Sequence, residues 1–486
     1  MINTGILSNI LGVLLLIVGG MMLTALPFSI YYADGMWSSI VAASLVTMVV
    51  GGLSLYYRYH TVEKIGKREG YLAVAFGWIS MGLAGMLPYL FSGVLTTFPE
   101  ALFESISGLT TTGASVLADI EAVPPSILFW RSLTQWIGGM GIIVLTVAIF
   151  PLLGIGGVEL FVAEAPGPTS DKIHPRIKET AKRLWLIYVG LTFSLTLIFL
   201  FCGMSFYDAI NHGLTTMATG GFSTKNASMA HFGPTIQYWT ILFMFFAGVN
   251  YTVIYYSLQG KFDKVWRSDE FKTYLGLTLF LSVAVTSSLV LGKGMPIEQA
   301  FRDATFQIVS LITTTGFVSA DYTSWSAALS LVFFCLLFLG ACAGSTSGGI
   351  KIIRHMVFFK NSILEFKRIL HPRALIRPKI DGQLVAPKIR THILSFLLIY
   401  LFLFVFGSLV MAIILADFQQ PFLTAIGSVA TSLGNVGPAI GEVGPVDNFA
   451  SIPPTGKVFL VFLMLLGRLE LFTVLVLFTP YFWRLN

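Results

Sequence analysis

Four short stretches of threonine, serine and glycine recur along the chain, and their residue types suit the coordination of a monovalent cation. They occupy residues 109–115, 218–223, 312–318 and 431–438. Glycine permits backbone conformations that aim successive carbonyl oxygens at one axis. A ring of carbonyl oxygens can replace the hydration shell of a potassium ion, and threonine hydroxyls can add ligands at the inner end of the ring.

The stretches also match one another in spacing. In three of them a polar residue stands nine positions before a glycine, as in Glu104 and Gly113, Asn211 and Gly220, and Gln307 and Gly316. The fourth stretch lacks the Thr-Gly step, so its register stays open by one or two residues. Small residues also serve ordinary helix packing in membranes, but four stretches in register favour equivalent units around a pore. A polar side chain such as Glu104 is expected to brace its loop by hydrogen bonds rather than to bind the ion.

The composition is that of an integral membrane protein. Of the 486 residues, 55% are apolar and 11% are charged, whereas soluble domains carry about 25% charged residues. A spanning helix needs about 20 apolar residues. Ten apolar runs of this kind lie at 6–27, 37–57, 71–93, 126–153, 184–204, 236–258, 273–292, 326–350, 392–416 and 454–480. They predict an all-α membrane protein with ten transmembrane helices.

The net charge of +6 marks one face of the membrane. Most of the 30 Lys and Arg residues fall in alternate loops between the apolar runs, and the longest basic loop spans 351–390. Because cytoplasmic loops carry the Lys/Arg excess, both termini are predicted to be cytoplasmic. The charge therefore gives no reason to expect a nucleic acid partner, although the basic loops could meet anionic lipid or dock another protein.

The four Thr/Gly stretches fall in the outer loops after the third, fifth, seventh and ninth apolar runs. Each loop opens with a short, moderately apolar stretch and then rises into the next run, as a re-entrant segment does. This order predicts two N-terminal helices followed by four pseudosymmetric helix/pore-loop/helix repeats around a central pore. The predicted divisions of the chain are 1–70, 71–183, 184–272, 273–391 and 392–486.

A run of small residues from Gly340 to Gly349 interrupts the eighth apolar run. Each glycine costs about 1 kcal/mol relative to alanine in a helix, so the helix is expected to break there. A phosphate-binding loop is the competing interpretation, but the run lacks the G-x-x-x-x-G-K-[ST] pattern.

Arg468 lies deep in the last apolar run, where a charge costs roughly 2.5 kcal/mol or more. Its side chain must therefore face protein or water. An ion pair with Glu470 is awkward because residues i and i+2 point to different helix faces. A partner on another helix and a place beside an ion path are the remaining alternatives.

At these motifs the sequence resembles the Trk/Ktr/HKT superfamily of potassium transporters. The resemblance rests on TTTGAS at 110–115, ATGGFS at 218–223, TTTGFV at 313–318 and LGNVGP at 433–438. The two additional N-terminal runs and the length resemble the bacterial TrkH/TrkG branch, and the similarity covers essentially the whole chain. It implies potassium uptake across the bacterial inner membrane.

The resemblance further implies a selectivity filter and a gate below it. The implied K+-binding filter residues are Thr111, Thr112, Gly113, Thr219, Gly220, Thr315, Gly316, Gly434, Asn435 and Val436. The implied gate is an intramembrane loop of Gly344, Ser345, Thr346, Ser347, Gly348 and Gly349, together with Arg468. A homodimer and a cytosolic nucleotide-binding regulatory subunit of the TrkA type are also implied. No covalently bound cofactor is expected, and nucleotide is expected only on that subunit.

Two other classes of function fit the sequence less well. An intramembrane enzyme is not expected, because the seven histidines are scattered and no nucleophile has a recognisable base. An ion-coupled secondary carrier of K+ or Na+ with H+ would also use broken helices. Its breaks, however, would lie near the midplane of two antiparallel halves, whereas these four units run in the same direction. Selectivity for K+ over Na+ stays open on physical grounds, although the glycine at Gly113 favours K+ by the resemblance.

Overall fold

Two helical segments open the chain in the computed structural model, which describes residues 3–56, 66–141, 177–373 and 376–484. The first segment is α1 (Thr4–Met22), a 3-10 turn (Leu23–Ala25) and α2 (Leu26–Tyr32), and the second is α3 (Trp37–Tyr56). α1 and α3 approach closely where Gly12 faces Gly51. A Cβ atom on Gly51 would lie 2.9 Å from the carbonyl oxygen of Gly12, so small residues set this contact, as is usual between membrane helices.

Four units follow, and each contains a long first helix, a short central helix and a second helix. The first helices are α4 (Lys67–Gly85, followed by α5, Leu87–Phe91), α8 (Ile177–Phe201), α13 (Asp269–Lys293) and α17 (Pro387–Ile414). The central helices are α6 (Phe98–Leu109), α9 (Phe206–Met217), α14 (Ile297–Ile312) and α18 (Pro421–Gly434). The second helices are α7 (Pro125–Trp136) with a π-helical turn (Ile137–Gly141), α10 (Pro234–Gly248) with α11 (Tyr251–Leu258), α15 (Ala327–Leu336) with α16 (Ile352–Leu370), and α19 (Pro454–Arg468) with α20 (Phe472–Leu475).

Short elements complete the described chain. They are α12 (Phe262–Arg267), the antiparallel hairpin of β1 (Lys379–Ile380) and β2 (Gln383–Leu384), α21 (Pro480–Trp483), and 3-10 turns at Ser228–His231, Tyr322–Ser324 and Val476–Phe478.

The core of the molecule surrounds the central helices. These helices carry polar side chains that are completely buried, including Glu104, Gln307 and Ser428. The first helices instead expose large apolar side chains, such as Phe280 at 70% on α13. Apolar outside and polar inside is the arrangement expected of a helical protein that faces lipid and encloses a polar path.

The helical membrane fold with repeated units is confirmed, whereas the predicted count of ten spanning helices is not reproduced. Six described helices are long and apolar enough to cross a membrane, and two bent pairs raise the number to eight. The bent pairs are α10 with α11, at 108°, and α19 with the helical segment that begins at Phe472, at 109°. The predicted run 326–350 forms only the short α15. The predicted run 126–153 continues past residue 141, outside the described residues.

Three of the second helices are interrupted, at 249–250, at 337–351 and at 469–471, whereas the sequence predicted only the interruption at 337–351. In the first unit, α7 passes into the π-helical turn Ile137–Gly141, which ends at the last described residue of that part of the chain. Glu470 and Leu471 have positive φ angles of 59° and 46°, which ends α19 because an L-residue in this conformation cannot continue a right-handed helix.

Replacing Gly51 with alanine is expected to weaken the packing of α1 on α3. The new Cβ atom would lie 2.9 Å from the carbonyl oxygen of Gly12 and 3.1 Å from the Cβ atom of Leu15, and overpacking costs about 1–3 kcal/mol. A lower thermal unfolding midpoint of the purified protein in detergent measures this loss. Gly52→Ala is the matched control, since nothing lies within 4 Å of the Cβ position at Gly52. Equal midpoints for the two variants would contradict the close approach of the helices.

Candidate functional site

The four loops after the central helices share one backbone geometry. In each loop a residue in the left-handed conformation is followed two positions later by a glycine with positive φ. The pairs are Thr111 (53°) and Gly113 (79°), Thr219 (52°) and Gly221 (78°), Thr314 (54°) and Gly316 (78°), and Asn435 (53°) and Gly437 (105°). The residue between each pair donates its N–H to the carbonyl five residues earlier, at 2.8–3.0 Å, in Thr112 to Ser107, Gly220 to Thr215, Thr315 to Ser310 and Val436 to Thr431.

This geometry identifies the equivalent residues in the second loop, where it differs by one position from the predicted spacing, and in the fourth loop, whose register the sequence left open. The left-handed glycine of the second loop is Gly221, not Gly220. In the fourth loop it is Gly437, whereas Gly434 is the last residue of α18. Because two glycines adjoin in the second loop and the fourth has no Thr-Gly step, spacing alone could not distinguish these positions. Glu104 stands nine positions before Gly113, and the residue nine positions before Gly221 is His212. His212 and not Asn211 is therefore the counterpart of Glu104.

The four loops close into a ring in which each left-handed glycine touches the next loop. A Cβ atom at these glycines would lie 2.0–2.8 Å from a carbonyl oxygen of the neighbouring loop. The contacts run from Gly113 to Gly220, from Gly221 to Thr315, from Gly316 to Val436 and from Gly437 to Thr112. The loops therefore surround one axis in the order first, second, third, fourth, and the last contact returns to the first loop.

A cavity of about 170 Å³ lies at the glycine end of the ring, and all four left-handed glycines line it. The charged residues in its lining are Arg131, Lys225 and Asp447. Among the described residues, Asp447 is the one acidic side chain in this lining, against the two basic side chains of Arg131 and Lys225.

The opposite end of the ring receives the carboxyl ends of the four central helices. α6, α9, α14 and α18 all end directly before their loops, so their dipoles place partial negative charge there, which favours a cation. At this end Thr111 Oγ1 and Asn435 Oδ1 are buried and have no hydrogen-bond partner among the described residues. Buried oxygens normally find a partner, so these two atoms fit the donor set that a cation requires.

Glu104 braces the first loop from behind. Its carboxylate is fully buried and accepts hydrogen bonds from Ser115 Oγ at 3.0 Å, Val116 N at 2.9 Å and Arg131 Nε at 2.6 Å. This is the bracing geometry that the sequence favours over ion binding.

Different side chains occupy the same place behind the second and third loops. His212 Nε2 hydrogen-bonds with Ser223 Oγ at 2.9 Å, and Gln307 Nε2 donates to Ser319 Oγ at 3.2 Å. Each of the three loops is thus held by a polar side chain of its own central helix.

Two residues of α7 tie the first unit to the second loop, and neither role is predicted from the sequence. Gln135 Nε2 donates to the Gly220 carbonyl at 2.6 Å, and Phe222 N donates to Gln135 Oε1 at 3.0 Å. Arg131 Nη1 donates to the Ser223 carbonyl at 3.1 Å. Their only signal in the sequence is a pair of polar residues four positions apart, on one face of a largely apolar helix.

The segment 337–351 lies across the helix end of the ring. Its Gly348 N–H donates to Thr314 Oγ1 at 2.6 Å, and its Thr346 Oγ1 donates to the Met217 carbonyl at 3.1 Å. A Cβ atom on Gly348 would lie 2.7 Å from the Gly434 carbonyl oxygen. The segment therefore contacts the second, third and fourth units directly beneath the loops.

The other predicted gate residues set the backbone conformation of this segment or form hydrogen bonds inside it. Gly344 and Gly349 have positive φ angles of 70° and 65°. Ser345 Oγ donates to the Cys342 carbonyl at 2.6 Å and lies 2.9 Å from Ser347 Oγ.

Arg468 ends α19 and joins this segment to the first unit. Its Nη1 donates to the Thr346 carbonyl at 3.0 Å, and its Nη2 donates to the carbonyls of Gly138 at 2.6 Å and Gly139 at 2.9 Å. Glu470 forms its ion pair with Arg354 of α16. The guanidinium thus finds its partners on other parts of the chain, which is one of the two alternatives that the sequence left open.

Comparisons with known proteins extend over nearly the whole chain. A family model described as TrkH, cation transport protein, matches residues 37–484. The chain is 41% identical over 485 residues to the Trk system potassium uptake protein TrkH of Salmonella typhimurium, covering 98% of this chain and 99% of that protein. It is 32% identical over 484 residues to the Trk system potassium uptake protein TrkG of Escherichia coli, covering 99% and 98%. The crystal structure of the potassium transporter TrkH from Vibrio parahaemolyticus matches with a TM-score of 0.88 at 35% identity, covering 99% of this chain and 100% of that one.

The matches to whole proteins include both N-terminal helical segments and all four units, whereas the family model begins at residue 37. The family is one of transporters rather than enzymes. The chain belongs to the TrkH family of cation transport proteins.

Proposed function

We propose that this chain takes up potassium across the bacterial inner membrane through a channel-like pore, and that the four-loop ring is its selectivity filter. The observation that carries the proposal is the closure of the ring, in which each left-handed glycine touches a carbonyl of the next loop. Loops held in this way present backbone oxygens to a common axis, and such oxygens substitute for the hydration shell of K+. The potassium uptake named for the relatives supports the same substrate.

The filter ligands that we propose are three consecutive residues in each of the four loops. The first residue has a left-handed backbone, and the third is the left-handed glycine. They are Thr111, Thr112 and Gly113; Thr219, Gly220 and Gly221; Thr314, Thr315 and Gly316; and Asn435, Val436 and Gly437. Asn435 makes the ring asymmetric, because its Nδ2 donates to Thr112 Oγ1 at 3.0 Å while its Oδ1 has no partner among the described residues.

The gate that we propose is the stretch from Gly344 to Gly349, held in place by Arg468. The stretch lies against the helix end of the ring, where it obstructs the path of an ion that leaves the filter. The guanidinium of Arg468 adds a positive charge next to that path, which raises the energy of a nearby cation. Its hydrogen bond to the Thr346 carbonyl couples the charge to the obstruction.

We also propose an orientation and an assembly for the chain. Both termini are cytoplasmic, the protein forms a homodimer, and a cytosolic subunit of the TrkA type regulates it by binding nucleotide. The charge distribution of the loops supports the orientation, and the relatives' description as parts of a Trk system supports a multi-component assembly. The five divisions predicted from the sequence correspond in this proposal to the N-terminal helices and the four repeats.

Potassium flux in liposomes under imposed K+, Na+ and H+ gradients tests the proposed function. We expect K+ to move down its own gradient without a second ion, whereas a coupled carrier would show flux that follows the Na+ or H+ gradient. Gly221→Ala and Gly316→Ala are expected to lower the K+ to Na+ flux ratio about tenfold or more, because about 1.4 kcal/mol changes a ratio tenfold and both new Cβ atoms would meet a carbonyl oxygen within 2.1 Å.

The control for the glycine variants is Gly233→Ala, since nothing lies within 4 Å of its Cβ position. An unchanged flux ratio in both Gly221→Ala and Gly316→Ala would count heavily against a filter at the ring.

Removing the obstruction is expected to raise K+ flux. Deletion of residues 344–348 should open the helix end of the ring, and Arg468→Ala should increase flux because both the charge and the hydrogen bond to Thr346 are lost. Initial rates of K+ uptake into liposomes measure both effects. Arg267→Ala is the control, because Arg267 is exposed on α12 away from these contacts. A fall in flux for Arg468→Ala with intact folding would instead assign Arg468 a structural role.

A further inference from the structure

A second side chain, besides Arg468, holds the segment 337–351. Glu270, in the first turn of α13, is 5% exposed. Its Oε1 accepts a hydrogen bond from the Ala343 N–H at 2.7 Å. Arg468 binds the Thr346 carbonyl three residues later. One side chain thus holds the N–H of Ala343, directly before the proposed gate, and another holds the carbonyl of Thr346 within it.

The residue before Glu270 is tied to the tip of the β1–β2 hairpin. Asp269 N donates to Asp381 Oδ1 at 2.6 Å, and Asp381 N donates to Asp269 Oδ2 at 3.1 Å. Lys272 lies 3.0 Å and Lys360 lies 3.5 Å from the Asp269 carboxylate, and these cations offset the repulsion between the two acids. The reciprocal bonds fix the start of α13 relative to the hairpin.

One strand of the hairpin packs against the protein, and the other strand is exposed. Asp381 and Gly382 form its turn with positive φ angles of 50° and 76°, which is the two-residue turn that suits the twist of a hairpin. Ile380 is 5% exposed and belongs to the same apolar cluster as Ile353 of α16. Leu384 on the other strand is 57% exposed.

These contacts form a continuous path from an exposed hairpin to the gate. We propose that Glu270 is a positioning residue for the gate segment, and that Asp269 and Asp381 couple its position to the β1–β2 hairpin. The inference rests on the proposed gating role of residues 344–349. Displacement of the hairpin tip would move the start of α13, withdraw the Glu270 carboxylate from Ala343 and release the segment from beneath the ring. A continuous chain of contacts does not by itself show energetic coupling. The test therefore asks whether the effects of two substitutions on flux are additive.

The test uses flux of K+ into liposomes that contain the purified full chain. Glu270→Gln keeps the shape of the side chain but replaces one carboxyl oxygen with an amide nitrogen, which cannot accept the Ala343 N–H. We expect basal flux to rise about tenfold, because a buried N–H whose acceptor is weakened or lost is strongly destabilised. Asp381→Gly removes the carboxylate and keeps the positive φ of the turn. We expect it to raise basal flux about threefold, because the N–H of Asp269 then loses its acceptor on the hairpin.

The double variant decides whether the two residues act through one path. We expect Glu270→Gln with Asp381→Gly to give no more flux than Glu270→Gln alone, whereas independent residues would show additive free-energy changes and hence multiplied effects on flux. Asp263→Asn is the control, since it removes one negative charge from exposed α12. Multiplied effects would overturn the link to the hairpin.

A second measurement separates positioning from general stability. Ser345→Cys is introduced into a chain whose cysteines at 202, 335 and 342 are replaced, and its modification by a charged thiol reagent is timed. We expect faster modification when Glu270→Gln is present, and recovery of the slow rate in Glu270→Asp. Equal rates would overturn the positioning role. The surface variant Asp381→Gly supplies the same comparison if Glu270→Gln does not fold.

The deletion of residues 344–348 distinguishes failure of this inference from failure of the gate itself. If the deletion raises flux and Glu270→Gln does not, the gate stands and the positioning role of Glu270 is wrong. If neither change raises flux, the proposed gate is wrong and the inference falls with it. In the deleted chain, Glu270→Gln is expected to have no further effect, because its hydrogen-bond partner no longer belongs to an obstruction.

Discussion

A contact between a glycine of one loop and a carbonyl of the next governs how the surrounding helices are placed. It imposes two demands on the same residue, a left-handed backbone and the absence of a side chain. Only glycine meets both without strain. Because the contact recurs four times and closes on itself, the four central helices must end at the same level and at similar distances from one axis. The packing of the long first helices and the buried polar contacts serve that placement.

The four units share a backbone arrangement but not the side chains that maintain it. The first loop depends on a buried ion pair of Glu104 and Arg131, for which loss of one partner typically costs about 3–5 kcal/mol. Neutral side chains hold the third and fourth loops, through Gln307 and through Thr431, whose Oγ1 accepts from Gly437 N at 2.8 Å. The pseudosymmetry is therefore a property of the main chain. Each unit is free to attach its loop to different surroundings, and the third unit uses Thr314 to contact the segment 337–351.

The sequence predicted the helical class and the repeats well, because both depend on periodic composition. It could not predict the register of the second loop, where Gly220 and Gly221 are chemically identical and only the φ angle distinguishes them. It revealed the long interruption at 337–351, which contains many small residues, but not the interruption at 469–471, which contains none. The contacts between units could not be predicted from the sequence either. Nothing near Gln135 or Glu270 in the sequence indicates that the former holds Gly220 and the latter holds Ala343.

The most direct test of this account is the location of bound cations in the protein itself. Crystals grown or soaked with thallium(I), a heavy substitute for K+, would give anomalous difference density at each ion site. We expect density on the axis of the ring, in direct contact with the carbonyl oxygens of Thr112, Gly220, Thr315 and Val436. Density that lies away from this axis, or an empty ring in a crystal with thallium bound elsewhere in the protein, would contradict it.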